Sequence, residues 1–145
     1  MNIAIGADHA GFPLKRALLA EALDGHDIHD VGVHSRRRAD YPRYAFRVAR
    51  MVSRGEADLG VLICGTGIGM AMAASRVRGI RPAVCTDEYM ARMARAHNHA
   101  NVLCLGGRVV GPGLAASIVR AFLVTPFEGG RHADRVAMLE RGDER

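Results

Sequence analysis

The 145-residue sequence contains no tryptophan and a single lysine, Lys15. Schiff-base chemistry requires a lysine amine. Lys15 lies in a helical pattern at a position that we expect to be exposed, so a lysine-dependent aldolase is disfavoured. No apolar run reaches the length that spans a bilayer, and residues 1–5 do not resemble the start of a signal peptide. We therefore expect a cytoplasmic protein with no membrane partner.

Cysteine is scarce, and its spacing forms no motif. Cys64, Cys85 and Cys104 are about twenty residues apart, with no CxxC pair. An odd number of separated cysteines argues against a disulfide framework and against a zinc ribbon. Each of them ends an apolar run, and we expect Cys85 and Cys104 to be small buried apolar side chains.

Basic side chains outnumber acidic ones and give a formal net charge of +5, almost all of it from arginine. The only arginine run, Arg36-Arg37-Arg38, falls in a predicted loop without interleaved aromatic residues. Nucleic-acid-binding proteins concentrate such charge on one element, so we expect no nucleic-acid partner. The scattered arginines fit a solvated basic surface or a clamp for a small anionic substrate.

Apolar runs of strand length alternate with segments of helical period along the chain. The predicted strands are residues 2–7, 28–33, 59–64, 81–85 and 102–105, and the predicted helices are residues 12–23, 44–54, a segment that ends near 77, 87–97, 111–123 and 131–141. Thr86 is the candidate N-cap of the fourth helix. This alternation predicts a single α/β domain, residues 1–145, with a parallel sheet covered by helices on both faces.

Polar residues and glycines follow the predicted strands, where parallel sheets bind ligands. The first strand leads into Asp8 and His9, and the third into Cys64-Gly65-Thr66-Gly67-Ile68-Gly69. Alternating glycines ahead of a helix can aim successive amides at an anion or a developing oxyanion. A dinucleotide site is disfavoured because Met70 replaces the small residue of the fingerprint. A tight turn without a ligand is the plainer alternative.

Cys64 precedes this turn at the end of the most apolar strand. A helix N-terminus favours the thiolate, and a thiolate is a suitable general base for a proton on carbon beside a carbonyl. The neighbouring amides could hold the enediolate oxygens. From position alone, a buried and inert cysteine is an equally good interpretation.

Histidine and arginine supply the other candidates. His97 ends a predicted helix, where the charged imidazole is favoured, although a capping histidine without a chemical role is common. His97 and His99 could suggest a metal site, but no further ligand lies nearby in sequence, and we expect none. Arg131 and Arg135 share one helical face, and with Arg108 they form either a phosphate clamp or a solvated basic surface.

Five sequence motifs in a fixed order are far more specific together than separately. They are Ala4-Ile5-Gly6-Ala7-Asp8-His9-Ala10-Gly11-Phe12, Asp40-Tyr41-Pro42, Ile63-Cys64-Gly65-Thr66-Gly67-Ile68-Gly69-Met70, His97-Asn98 with Asn101-Val102-Leu103, and Gly129-Gly130-Arg131-His132. With these motifs the sequence resembles the ribose-5-phosphate isomerase B family, which includes the galactose-6-phosphate isomerase subunits. The resemblance covers essentially the whole chain.

The resemblance implies a Rossmann-like three-layer sandwich around a five-stranded parallel sheet, without a nucleotide site. It implies a cofactor-independent, metal-free isomerase of the pentose phosphate pathway. Such an enzyme interconverts D-ribose 5-phosphate and D-ribulose 5-phosphate by proton transfer through a cis-enediol(ate). It also implies a homodimer or homotetramer in which two subunits share each active site.

The resemblance also assigns roles to residues. Cys64 matches the family's base, and Ile68 stands where some members carry a glutamate instead, so this is a cysteine-type member. Thr66 and His97 match residues that assist ring opening, with His97 as the acid. The amides from Gly65 to Gly69 match the enediolate cradle. The remaining substrate-binding positions are Asp8, His9, Tyr41, Asn98, Arg108, Arg131 and Arg135, with His9 and the three arginines at the phosphate.

Four departures from the family pattern leave the sugar preference open. They are His99 for aspartate, Ser75-Arg76 for Asn-Lys, Pro82 for a small residue, and Arg43 for an acidic residue. None removes a catalytic group. The alternatives are an isomerase of a hexose phosphate, a tetrose phosphate or a free aldose, and a non-catalytic module that binds a sugar phosphate.

Overall fold

Strands and helices alternate in the computed structural model, which describes residues 1–145. In chain order the elements are β1 (Asn2–Ala7), α1 (Phe12–Ala20), β2 (Asp27–Asp30), α2 (Tyr41–Ser53), β3 (Leu59–Cys64), α3 (Ile68–Ala74), β4 (Pro82–Val84), α4 (Glu88–Ala96), β5 (Val102–Gly106), α5 (Pro112–Val124) and α6 (Arg131–Arg141). All neighbouring strands are parallel, in the order β2-β1-β3-β5-β4. The predicted α/β class and five-stranded parallel sheet are confirmed. None of the helices has the length and apolar character needed to span a bilayer.

Two apolar cores separate the sheet from its helices. Helices α1, α4 and α5 cover one face through residues such as Leu18 and Phe122, whereas α2 and α3 cover the other through Val48 and Met70. Alternate side chains of a strand point to opposite faces. Ile63 therefore enters the first core and Cys64 the second, so the thiol lies on the side of α3.

Several predicted boundaries were wrong by a few residues. Helices α1 and α3 end at Ala20 and Ala74 because their last turns tighten into i, i+3 hydrogen bonds, such as Val77 N to Ala74 O at 3.1 Å. Strand β2 spans Asp27–Asp30, and Gly32 beyond it has a φ of 103°, outside the extended region. Helix α2 begins three residues early, because proline fits its first turn.

The predicted cap of α4 was also wrong. Asp87, not Thr86, is the N-cap residue, and its Oδ1 accepts a hydrogen bond from Met90 N at 2.7 Å. An N-cap oxygen must reach an amide two or three residues on. Thr86 stands one residue too early for this role.

Lys15 is buried, contrary to the expectation of an exposed side chain. It is 1% exposed, and its Nζ lies 2.6 Å from both Asp30 Oδ1 and Val33 O. Asp30 Oδ1 also accepts a hydrogen bond from Gly32 N at 2.9 Å. A buried ammonium is tolerated only with such partners. The contacts of Lys15 attach α1 to the end of β2 and to the segment after it.

Glycines allow three loops to pack backbone against backbone at the carboxyl edge of the sheet. A Cβ on Gly11 would lie 2.3 Å from the carbonyl oxygen of Ile63, and a Cβ on Gly106 would lie 2.8 Å from Thr66 Cα. Gly107 donates its amide to Cys64 O at 2.8 Å. The loops after β1, β3 and β5 are therefore fixed to one another without intervening side chains.

We expect Gly11→Ala to lower the free energy of unfolding by about 3 kcal/mol, because the added methyl group meets backbone that cannot move aside. Gly113→Ala is the matched control, since its Cβ meets nothing within 4 Å. In helix α5 that change should be neutral or stabilising by up to about 1 kcal/mol. Urea unfolding of both variants measures the difference, and equal stabilities would contradict the close packing of the loops.

Candidate active site

Cys64 lies at the head of the glycine-rich turn. The residue is 5% exposed, and its Sγ accepts a hydrogen bond from Gly67 N at 3.1 Å. Gly67 has a φ of 83°, a left-handed conformation that a glycine adopts without strain. An amide donor to sulfur stabilises negative charge on it, so the turn is built around the sulfur as an acceptor.

The exposed side of this turn is bordered by Thr66, Ile68 and Tyr41. Thr66 is exposed, and its Oγ1 accepts a hydrogen bond from Ile68 N at 3.2 Å. The ring of Tyr41 lies directly on Gly69, where a Cβ would come within 2.8 Å of two ring carbons. Two of the amides predicted to form an oxyanion cradle, those of Gly67 and Ile68, thus contact the side chains of Cys64 and Thr66.

Asp8 and His9 follow β1 beside the turn. Asp8 Oδ1 accepts the amides of Ala10 and Gly11, each at 3.0 Å, which fixes the loop. His9 Nδ1 accepts the amide of Ala39 at 3.2 Å. A neutral histidine that accepts at Nδ1 carries its proton on Nε2. His9 therefore keeps an N–H donor for another acceptor.

Arg108 completes the group at this edge. Its amide donates to Gly65 O at 3.1 Å, and its side chain passes 3.6 Å from the position of a Cβ on Gly65. The structure thus brings together Asp8, His9, Tyr41, the turn from Cys64 to Gly69, and Arg108. We call this set the carboxyl-edge half-site.

His97, Asn98, Arg131 and Arg135 lie elsewhere, and we call them the amino-edge half-site. His97 caps the C-terminus of α4, which precedes the amino end of β5. Along β5, Val102 pairs with Gly60 and Gly106 pairs with Cys64, a separation of about 13 Å at 3.3 Å per residue. Asn98 and Arg135 line one groove, and none of the surface grooves is lined by Cys64.

The amino-edge half-site contains two residues to which no role was assigned from the sequence. His97 stacks on His132, with ring centroids 4.1 Å apart and planes inclined by 8°. Glu128 Oε2 lies 3.7 Å from His97 Nε2 and 3.4 Å from His132 Nε2. His132 stands in the quoted Gly129-Gly130-Arg131-His132 motif, which was the available signal, whereas nothing in the sequence singled out Glu128.

The three ligand-type atoms of His97, Glu128 and His132 lie within 4.8 Å of one another. A metal ion lies in the plane of each imidazole that binds it, and two parallel stacked planes share no such point. Without rotation of one ring, the trio therefore does not fit a metal ion. His99, the other ligand considered from the sequence, stacks on Phe127 at 4.2 Å instead.

The other two cysteines lie in chemically inert surroundings. Burial, and secondarily the charge of Asp87, raises the pKa of Cys85 to about 11. Burial chiefly, with the neighbouring thiols of Cys64 and Cys85, raises the pKa of Cys104. Both groups remain neutral thiols near neutral pH, as expected for buried apolar side chains.

Iodoacetamide at about pH 8 should label Cys64 and leave Cys85 and Cys104 unmodified, because the thiolate is the reactive form. Peptide mass spectrometry of the folded protein measures the distribution of the label. In Cys64→Ser, labelling under the same conditions should disappear. Labelling of Cys85 at a rate equal to that of Cys64 would contradict the assignment of a single reactive thiol.

Comparison with known proteins identifies the class to which this fold and site belong. The profile of the ribose/galactose isomerase family matches residues 3–139. The chain therefore belongs to this family, and the resemblance noted from the motifs is confirmed.

Named relatives are similar over nearly the whole chain. Ribose-5-phosphate isomerase B of Escherichia coli is 47% identical over 145 residues, covering 99% of this chain and 97% of that protein. A structure of Clostridium thermocellum ribose-5-phosphate isomerase B is 50% identical with a TM-score of 0.94, covering 97% and 96% of the two chains. The structure of Trypanosoma brucei type B ribose 5-phosphate isomerase is 49% identical with a TM-score of 0.92, covering 98% of each chain.

Proposed function

We propose that this protein interconverts D-ribose 5-phosphate and D-ribulose 5-phosphate. The observation that carries the proposal is the Cys64 thiol, fixed at the end of a buried strand with an amide donor on its sulfur. Relatives that bear the name ribose-5-phosphate isomerase B and match nearly the whole chain support the choice of substrate. Such a reaction belongs to the pentose phosphate pathway.

The reaction begins with ring opening. His97 donates a proton to the ring oxygen, and Thr66 assists as the hydroxyl on C1 loses its proton, giving the open aldehyde. Cys64 then removes the proton from C2, and the electron pair forms the C1–C2 double bond of a cis-enediolate. Backbone amides of the turn from Gly65 to Gly69, other than those of Gly67 and Ile68 that are donated to Cys64 and Thr66, hold the enediolate oxygens.

Return of a proton to C1 completes the isomerisation, and C2 becomes the carbonyl carbon. C1 is reduced and C2 oxidised within one molecule, so no external electron carrier enters the balance. His9 and the arginines Arg108, Arg131 and Arg135 bind the phosphate, for which fixed N–H donors are suited. Asp8, Tyr41 and Asn98 contact the sugar hydroxyls.

The purified protein should convert ribose 5-phosphate to ribulose 5-phosphate with a chelator present. Cys64→Ala should lower kcat about a thousandfold, the usual contribution of a positioned base, while Cys85→Ala, the matched buried control, should retain most of the activity. A colorimetric ketose assay measures both variants. Full activity of Cys64→Ala would overturn the assignment of the base.

If the unaltered protein does not convert ribose 5-phosphate, the alternative substrates are assayed next. Turnover of a hexose phosphate, a tetrose phosphate or a free aldose, but not of ribose 5-phosphate, would retain the chemistry and change the sugar. Binding of ribose 5-phosphate without exchange of its C2 proton into solvent would indicate a sugar-phosphate-binding module.

We further propose a homodimer in which each active site takes its carboxyl-edge half-site from one protomer and its amino-edge half-site from the other. The distance of about 13 Å along β5 supports this, because His97 of the same chain lies beyond the opposite edge from Cys64. Ile68 and Met72 beside the carboxyl-edge half-site are 51% and 66% exposed, and Leu139 near Asn98 is 62% exposed. Exposed apolar side chains of this kind are typical of protein interfaces. A homotetramer would add a second interface to this dimer.

Mixing two inactive variants tests the shared site. Random reassociation of Cys64→Ala with His97→Asn gives heterodimers in half of the population, and each contains one intact site out of two. We therefore expect about one quarter of the unaltered activity after denaturation and refolding of the mixture. Each variant refolded alone is the control, and no recovery in the mixture would place both residues in a site within one chain.

We also propose a cytoplasmic location. Three free thiols, with no disulfide among them, are typical of proteins in a reducing compartment.

A further inference from the structure

The backbone fixes Glu128 and His132 next to the end of α4. Glu128 N donates to Ala96 O at 3.0 Å, one residue before His97. His132 N then donates to Gly129 O at 3.0 Å, across a turn in which Gly129 has a φ of 68°. The chain thus brings a carboxylate and an imidazole to His97 through main-chain contacts, which define their positions closely.

The two imidazoles differ in their surroundings. The side chain of His132 is 7% exposed, and its buried Nε2 has no hydrogen-bond partner. The side chain of His97 is 37% exposed. His132 is therefore an immobile flat surface under the accessible ring of His97, and it restricts the rotation of that ring.

Burial and the charges around the stack favour a neutral His132. A second positive ring at this distance would be repelled by a charged neighbour. Burial, followed by the charges of His97 and Arg131 and to a smaller extent Arg135, lowers the pKa of His132, while Glu128 opposes this change. His132 is therefore the neutral ring of the pair near neutral pH, and the carboxylate of Glu128 lies 3.7 Å from Nε2 of the more accessible His97.

We propose that Glu128 and His132 are positioning residues that hold His97 in the orientation and protonation state needed to open the sugar ring. This inference rests on the proposed function, and specifically on His97 as the ring-opening acid. Neither residue contacts the reacting carbons. Glu128 stabilises the imidazolium by its charge, and His132 fixes the plane of the ring by stacking.

The two substrates of the reaction separate this role from general damage to the site. Ribose 5-phosphate is a closed furanose and requires an acid at its ring oxygen. Ribulose 5-phosphate is open, because the oxygen on C5 that would close a furanose ring carries the phosphate. A defect in ring opening therefore slows interconversion of the two sugars. It spares exchange of the C1 proton of ribulose 5-phosphate with solvent, because that exchange needs the base but not the ring step. Loss of the base slows both processes.

The experiment measures two rates for Glu128→Gln, His132→Ala and His132→Phe: consumption of ribose 5-phosphate, and exchange of the C1 proton of ribulose 5-phosphate with solvent deuterium. Glu128→Gln should slow aldose consumption about threefold to fivefold, in the range of a partly exposed charge pair, and leave proton exchange of the ketose within about twofold. His132→Ala should have a larger effect in the same direction, and His132→Phe should rescue much of it, because phenylalanine restores a flat ring. Asp134→Asn changes an exposed carboxylate of α6; it is the control and should change neither rate.

Equal slowing of aldose consumption and of ketose proton exchange in Glu128→Gln, or no slowing of either, would overturn the positioning role. Glu128 is 55% exposed, so its variant tests the proposal even if a change at the buried His132 prevents folding. His97→Asn separates failure of this inference from failure of the proposed function. If that variant keeps full aldose turnover, His97 is not the acid and the proposed ring-opening step fails. If it loses aldose turnover while both Glu128 and His132 variants keep it, only the positioning inference fails.

Discussion

Direct backbone contact between the loops at the carboxyl edge is the constraint on which the rest of the site depends. Gly11 lies against the carbonyl of Ile63, Gly106 against Thr66, and Gly107 against Ala10. Because backbone packs directly on backbone at these contacts, no flexible side chain lies between the loops, and one loop cannot shift without moving the others. The position of the Cys64 sulfur is therefore fixed by the sheet. The proposed base needs such a fixed position, because it removes the proton of one particular C–H bond.

Parallel strand direction explains why the polar residues form two separate groups. A helix that connects two parallel strands returns from the carboxyl edge to the amino edge, so residues at its C-terminus lie at the amino edge. His97 and Asn98 follow this rule at the end of α4, and the segment before α6 packs beside them through the hydrogen bond from Glu128 N to Ala96 O. A single chain with this topology brings the proposed base and its glycine-rich turn together, but the proposed acid, His97, lies at the other edge. Completing the site by a second copy is the simplest solution for so small a domain.

The sequence allowed prediction of features that depend on local patterns. The strand before Cys64 is a continuous apolar run, and the glycines after it predict a tight turn, so the placement of Cys64 and its turn at one edge was predicted. Their roles as base and cradle stay predictions. Lys15 was misjudged because its partners, Asp30 and Val33, are distant in sequence. Glu128 was missed for the same reason: its neighbour His97 is thirty-one residues earlier in the sequence, and only packing of the segment before α6 brings them together.

Charge distribution connects substrate binding to assembly. His9 and Arg108 at the carboxyl-edge half-site, and Arg131 and Arg135 at the amino-edge half-site, all present N–H donors or positive charge. In the proposed dimer these groups from two protomers face one another, and without a ligand the arginines repel. A phosphate monoester carries a charge of about −2 near neutral pH, which neutralises both sides at once. The sugar phosphate is then both the substrate and an ionic link across the interface, so binding it stabilises the same arrangement of protomers that brings His97 to the base.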